Sequence, residues 1–135
     1  MDLFRDLNIS VSAMLSQKVR LNTIASNLAN IETTRTPEGG PYRRKDVVFQ
    51  SVLMDEEKAI EGVEVAGVVE DPSPFKVVYD PSHPDADERG YVLLPNVNMI
   101  EEMVNMVLTT RAYEANVNAF NITKTMYLKA LELGR

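Results

Sequence analysis

The sequence predicts a mainly α protein with a small β part: N- and C-terminal helices paired as an antiparallel coiled coil, with a small antiparallel β unit and extended loops between them. Three observations predict this. Apolar residues recur at mixed spacings of three and four over 3–30 and again over 96–133, which keeps one helix face in register. All seven Pro and five of the six Gly fall between Pro37 and Pro95, so the helix breakers are confined to the middle. The runs between those breakers are short and rich in Val, Tyr and Phe, as strands are. The expected organisation is therefore one terminal-helix unit, 1–31 with 96–135, and a loop and β-rich middle segment, 32–95.

Taken in order, the first helix carries Phe4, Leu7, Val11, Met14, Leu21, Ala25 and Leu28. Set as heptads, Leu7, Met14, Leu21 and Leu28 occupy the d positions of a coiled-coil seam. Its other faces are poor in charge. Ser10, Ser12, Ser16, Asn22, Ser26, Asn27 and Asn30 stand where a solvated helix carries Glu, Lys and Arg, and these are mediocre helix formers. Uncharged amides and hydroxyls suit a face that packs on protein and hydrogen-bonds across the contact. The expectation is two working faces, one pairing the chain's own ends and the other meeting neighbouring subunits.

Thr33 to Pro41 reads as a loop. Tyr42 to Leu53, Val63 to Val69, Phe75 to Tyr79 and Tyr91 to Leu94 read as extended, separated by turn residues such as Asp71-Pro72-Ser73-Pro74 and Asp80-Pro81. The second helix is expected over Asn96 to Leu133. It is announced by Pro95 and by Asn98 with Glu101 three residues on, a capping-box-like pair, and stopped by Gly134. Its apolar or small stripe is Val97, Ile100, Val104, Val107, Leu108, Ala112, Ala115, Ala119, Ile122 and Met126. A helix over 96–133 rises ~57 Å, whereas a compact globule of this chain length has a radius of gyration of ~14 Å. Part of the helix must project, and a projecting apolar stripe needs a partner.

The formal net charge of −6 divides as +1 over 1–31, −7 over 32–95 and 0 over 96–135. An acidic chain without a basic stripe offers no counterion release to nucleic acid. No apolar run is long enough for a membrane span, and the first residues lack the basic-then-apolar pattern of a cleavable secretory signal. The absence of Cys excludes disulfides and thiolate metal sites.

The most site-like cluster is Asp80 to Gly90. Read as an EF-hand loop from Asp85 it supplies Asp85, Asp87 and Gly90 at positions one, three and six, but Arg89 stands at five and Asn96 at twelve. His83 is the sole histidine, between prolines and far from any nucleophile motif. Asp85, Asp87, Glu88 and His83 are expected to be turn residues facing solvent or rim contacts to a neighbour. No catalytic, cofactor-binding or metal residues and no small-molecule substrate are expected. A coiled-coil adaptor or export chaperone is the alternative from another class; it would carry highly charged e and g positions, which are charge-poor here.

Ile24-Ala25-Ser26-Asn27-Leu28-Ala29-Asn30 resembles the N-terminal signature of the bacterial flagellar rod and hook proteins. Arg111-Ala112-Tyr113-Glu114-Ala115-Asn116 resembles their C-terminal one. Gly40-Pro41-Tyr42-Arg43-Arg44, Val47-Val48-Phe49-Gln50, Asp80-Pro81, Gly90-Tyr91-Val92, Pro95-Asn96-Val97-Asn98, Glu102-Met103-Val104 and Ala130 to Arg135 extend the likeness from end to end, closest to the proximal rod members. The resemblance implies a structural subunit whose terminal helices form the inner domain of a hollow tube while the middle decorates it. Its assembly and packing residues would be Leu7, Val11, Met14, Leu21, Leu28, Asn27, Asn30, Val97, Ile100, Val104, Leu108, Ala112, Tyr113, Ala115, Asn116, Ala119, Ile122 and Met126. The implied partners are other copies of itself, other proximal and distal rod subunits, the protein joining the rod to the membrane ring, and the type III export apparatus in transit. The implied location is the basal body, in the rod within the periplasmic space.

Overall fold

The structure, a computed structural model, describes residues 3–57 and 59–134; the outermost residues of the expected terminal-helix unit, 1–2 and 135, lie outside the described residues. Helix α1 spans Leu3–Ala29. Strands β1, Lys45–Asp55, and β2, Ile60–Glu70, follow, then β3, Lys76–Tyr79, and β4, Tyr91–Leu94; helix α2, Met99–Leu133, closes the order.

α2 begins three residues later than expected, at the N-cap. Asn98 is extended, and its side chain accepts from the Glu101 amide at 3.1 Å, satisfying one of the first-turn donors. At the far end the Gly134 amide bonds back to the carbonyls of Ala130 and Leu131. The helices pack antiparallel: the Phe4 ring near the start of α1 meets Tyr127 near the end of α2 edge-on, with centroids 5.0 Å apart.

The β part is antiparallel and divided into two ladders. β1 and β2 form a long hairpin with register shifts at Val48/Phe49 and Leu53/Asp55, and β3 pairs with β4 from Lys76↔Leu94 to Tyr79↔Tyr91. The break between them is chemical. Pro72 and Pro74 remove ladder donors, and the carbonyls of Asp71 and Ser73 are claimed by side chains, Arg43 Nη1 at 2.8 and 3.0 Å and Asn96 Nδ2 at 3.1 Å each.

The hairpin lies against α1, and Gly62 is the point of closest approach: a Cβ there would come within 3.0 Å of Ser12 Oγ and against the end of Met54. Gly90 serves differently. Its φ of +85° turns the chain into β4 beneath the Tyr79 ring, 2.9 Å from where a Cβ would stand, so only glycine fits without strain. Deeply buried apolar side chains are few among the described residues. Val92, Pro95 and Val97 lie on the run from β4 into α2, with Ile24 on α1 and Tyr42 ahead of β1.

Candidate assembly surfaces and the polar junction that sets them

Two features organise the molecule: a polar junction that ties α1, the hairpin and the start of α2 together, and an uncovered apolar face on α2. The junction begins with Asn27, which is fully buried. Its Nδ2 donates to the Lys45 carbonyl at 2.8 Å and its Oδ1 accepts from the Lys45 amide at 3.0 Å. One side chain thus meets both backbone groups of the residue that opens β1, as a neighbouring strand would. Oδ1 also accepts from the Tyr42 hydroxyl at 2.8 Å, and that hydroxyl lies 3.3 Å from Ser26 Oγ.

Three to four turns earlier in α1 the same device is repeated with serines. Ser12 Oγ accepts from the Val63 amide at 3.2 Å, and Ser16 Oγ donates to the Val63 carbonyl at 3.3 Å. Arg20 places its guanidinium 5.8 Å from the centre of the Phe49 ring. The hydroxyl and amide face of α1, expected from sequence to meet neighbouring subunits, therefore meets the chain's own hairpin at Ser12, Ser16 and Asn27. The physical ground was the one anticipated, a polar face that bonds to backbone without burying charge; the partner is intramolecular. Asn30 is also used locally, donating to the Ser26 carbonyl and accepting from Thr33 Oγ1.

Arg44 carries the other half of the junction. Its Nε donates to Glu102 Oε1, and its Nη1 lies 3.3 Å from Asp71 and 3.6 Å from Asp46. Burial pulls the Arg44 pKa down, but the hydrogen bond and charge of Glu102, with Asp46 and Asp71, outweigh it and leave the pKa raised. Glu102 is 1 % exposed, and its second oxygen is buried without a hydrogen-bond partner among the described residues. Asn96 completes the knot by accepting from the Arg44 amide at 2.7 Å. The Ser73 hydroxyl and amide, with Arg44 beside them, hold Asp71 below the usual carboxylate range.

The Asp80 to Gly90 loop is structural in its bonding. Asp87 Oδ1 accepts from the amides of Arg89 and Tyr91, both at 2.9 Å, and Asp85 accepts from Thr34 Oγ1 at 2.6 Å and from Arg35 Nε. Within the chain, Asp85 ties this loop to the 33–41 loop. Among the described residues no three His, Asp or Glu are grouped to hold a metal ion. The bonds from Thr34 and Arg35 lower the Asp85 pKa, so this tie is made above the ordinary carboxylate value of ~3.9 and is lost as pH falls through the depressed one. The NMR shifts of Thr34 and Arg35 are expected to follow that titration and to lose it in Asp85→Asn; a midpoint at or above the ordinary value would refute the tie.

α2 presents opposite faces. Toward α1 lie Glu102, Thr109, Asn116 and Thr123 in one column and Met106, Tyr113, Phe120 and Tyr127 in another, all buried or half-buried, with Ala112 between them. Both columns repeat every seven residues, the coiled-coil period. Tyr113, Ala112 and Asn116 were expected as packing residues; the Met106, Phe120, Tyr127 column was not, although its heptad spacing is readable. The expected stripe lies on the other side: Ile100 is 74 % exposed, Leu108 60 % and Ile122 62 %, with Val104, Ala115, Ala119 and Met126 also exposed. Val97, before the helix, is fully buried. On α1, Leu7, Val11, Met14, Leu21 and Leu28 are half-buried.

Residues 7–35 match the family model described as flagella basal body rod protein, and residues 88–133 match that of the flagellar basal body rod FlgEFG protein C-terminal. The flagellar basal-body rod protein FlgC of Bacillus subtilis is 46% identical, and that of Escherichia coli O6:H1 is 47% identical, each aligned over 100% of both chains. The FlgC protein of Borreliella burgdorferi is 40% identical over 98% of each chain.

Proposed function

The chain belongs to the FlgC family of flagellar basal-body rod proteins and is a structural subunit of that rod; we propose that it assembles with copies of itself and with other proximal and distal rod subunits into a tubular drive shaft that transmits torque and leaves a channel for export substrates. Residues 1–31 and 96–135 are the inner tube unit on this reading, and 32–95 the outward segment. The subunit reaches its place in the periplasmic part of the basal body through the flagellar type III export apparatus. It meets the protein that joins rod to membrane ring. Its work is mechanical, and it needs no catalytic group or cofactor.

The observation that supports assembly is the outward face of α2. Ile100, Val104, Leu108, Ala115, Ala119, Ile122 and Met126 share it, and all are exposed. A solvated helix face carries charge throughout; this one carries Arg111 in its middle, Asn118 and Glu101 at its borders and otherwise apolar or small side chains, which marks a surface that is covered in use. The small residues Ala115 and Ala119 admit close approach of another helix. Ala115→Glu is expected to place a charge in that contact at roughly 1–3 kcal/mol per copy, multiplied along the tube. Swimming should fall while protein level and export persist. A normally swimming strain would mean that Ala115 is not at a packed contact.

A further inference from the structure

A second uncovered apolar surface lies on the other side of the molecule. Where α1 crosses the hairpin, Leu15 and Val19 on the helix and Val52, Met54, Val63 and Val65 on the strands line an open groove, with Ser12 and Ser16 at its floor and Glu64 at its mouth. Leu15 is 60 % exposed. Glu64 is exposed at the strand surface and accepts a hydrogen bond from Gln50 Nε2. The outward face of α2 is the counterpart: Ile100, Met103, Val104, Val107 and Leu108 are each more than half exposed and stand out from the helix as an apolar ridge with a shallow hollow between them.

We propose that the ridge of one copy seats in the groove of the next copy of this chain. Length and charge both fit. Ile100 to Leu108 rises ~12 Å along α2 and Ser12 to Val19 rises ~10.5 Å along α1, so ridge and groove are matched to within a residue. Arg111 follows the ridge by less than a turn and makes no hydrogen bond or ion pair among the described residues; Glu64 offers it a carboxylate. The other end is complementary too, since exposed Lys18 stands beside Leu15 and Val19 while exposed Glu101 flanks the start of the ridge. Ridge and groove are different surfaces, so the contact is heterologous: each copy keeps one free groove and one free ridge, and the series extends as a ring or an open helix. The inference rests on the reading of this chain as a rod subunit and deepens it by naming which face meets which.

The chain has no cysteine, so paired substitutions report cleanly. Leu15→Cys with Val107→Cys would be expressed in the bacterium that carries this chain, with the native copy deleted, and basal bodies oxidised after isolation. Dimers and a ladder of higher multiples are expected from the double variant and not from either single one. Absence of dimers in a swimming strain, or a cross-linked product of another mass, would overturn the proposal. Charge exchange is the second measurement, independent of the cysteines. Arg111→Glu and Glu64→Arg should each reduce swimming ~10-fold, and together should restore it to within about 3-fold of wild type; no restoration would overturn the pairing. Failure of the rod reading itself looks different, as absence of the unaltered chain from purified basal bodies.

Discussion

Replacing Arg44 with Met is expected to destabilise the chain by about 3–5 kcal/mol, because it strands a carboxylate that is almost wholly buried. Glu102 is 1 % exposed and already has one oxygen without a hydrogen-bond partner among the described residues. Its other oxygen depends on Arg44 Nε. Against a total stability of about 5–15 kcal/mol, the loss should move the urea midpoint by roughly 2 M. The double variant Arg44→Met with Glu102→Met is the informative control. Removing both charges and filling the space with apolar side chains should recover most of the loss, whereas Arg44→Met alone costing under ~1 kcal/mol would show that water reaches Glu102. The consequence for assembly follows from position. Arg44 immediately precedes the hairpin and Glu102 lies in the first turn of α2, so their pairing sets the ridge of α2 relative to the groove beside the hairpin.

Asn27→Ala carries the second large effect. Three groups lose a hydrogen bond at once: the amide and carbonyl of Lys45, and the hydroxyl of Tyr42, which keeps only Ser26 Oγ. Leaving a buried polar group unpaired costs about 1–3 kcal/mol, and these three share one side chain, so a total of about 3 kcal/mol is expected rather than the full sum. Asn27→Asp should be at least as damaging, since it keeps the acceptors, loses the donor to Lys45 and buries a charge. Amide exchange locates the effect. The Lys45 amide should lose protection in Asn27→Ala while amides in the middle of the β1–β2 ladder keep theirs. Unchanged protection at Lys45 would mean that the strand holds its place without the asparagine.

Both substitutions fall on residues that were visible in the sequence as motif positions and invisible in their roles. Asn27 belongs to the Ile24 to Asn30 signature and Arg44 to the Gly40-Pro41-Tyr42-Arg43-Arg44 run, but nothing in spacing says that Asn27 faces Lys45 or that Arg44 reaches Glu102 across the fold. Those pairings span sequence separations of 18 and 58 residues. Local pattern carries no information at that range.

The sequence by itself determined the two helices, the heptad period of the first, the Asn98 cap, the four extended segments and the family. Each depends on local chemistry: apolar periodicity, side-chain capping, and proline or glycine at turns. Only the tertiary structure decided which face of each helix is used. α2 is apolar on both sides, with Val104, Leu108 and Ile122 on one and Met106, Phe120 and Tyr127 on the other, so periodicity alone could not choose between them. The choice was made by the junction of Asn27, Arg44, Asn96 and Glu102, which fixes the turn about its own axis at which α2 meets α1. That same rotation leaves the more continuous apolar stripe uncovered for another subunit.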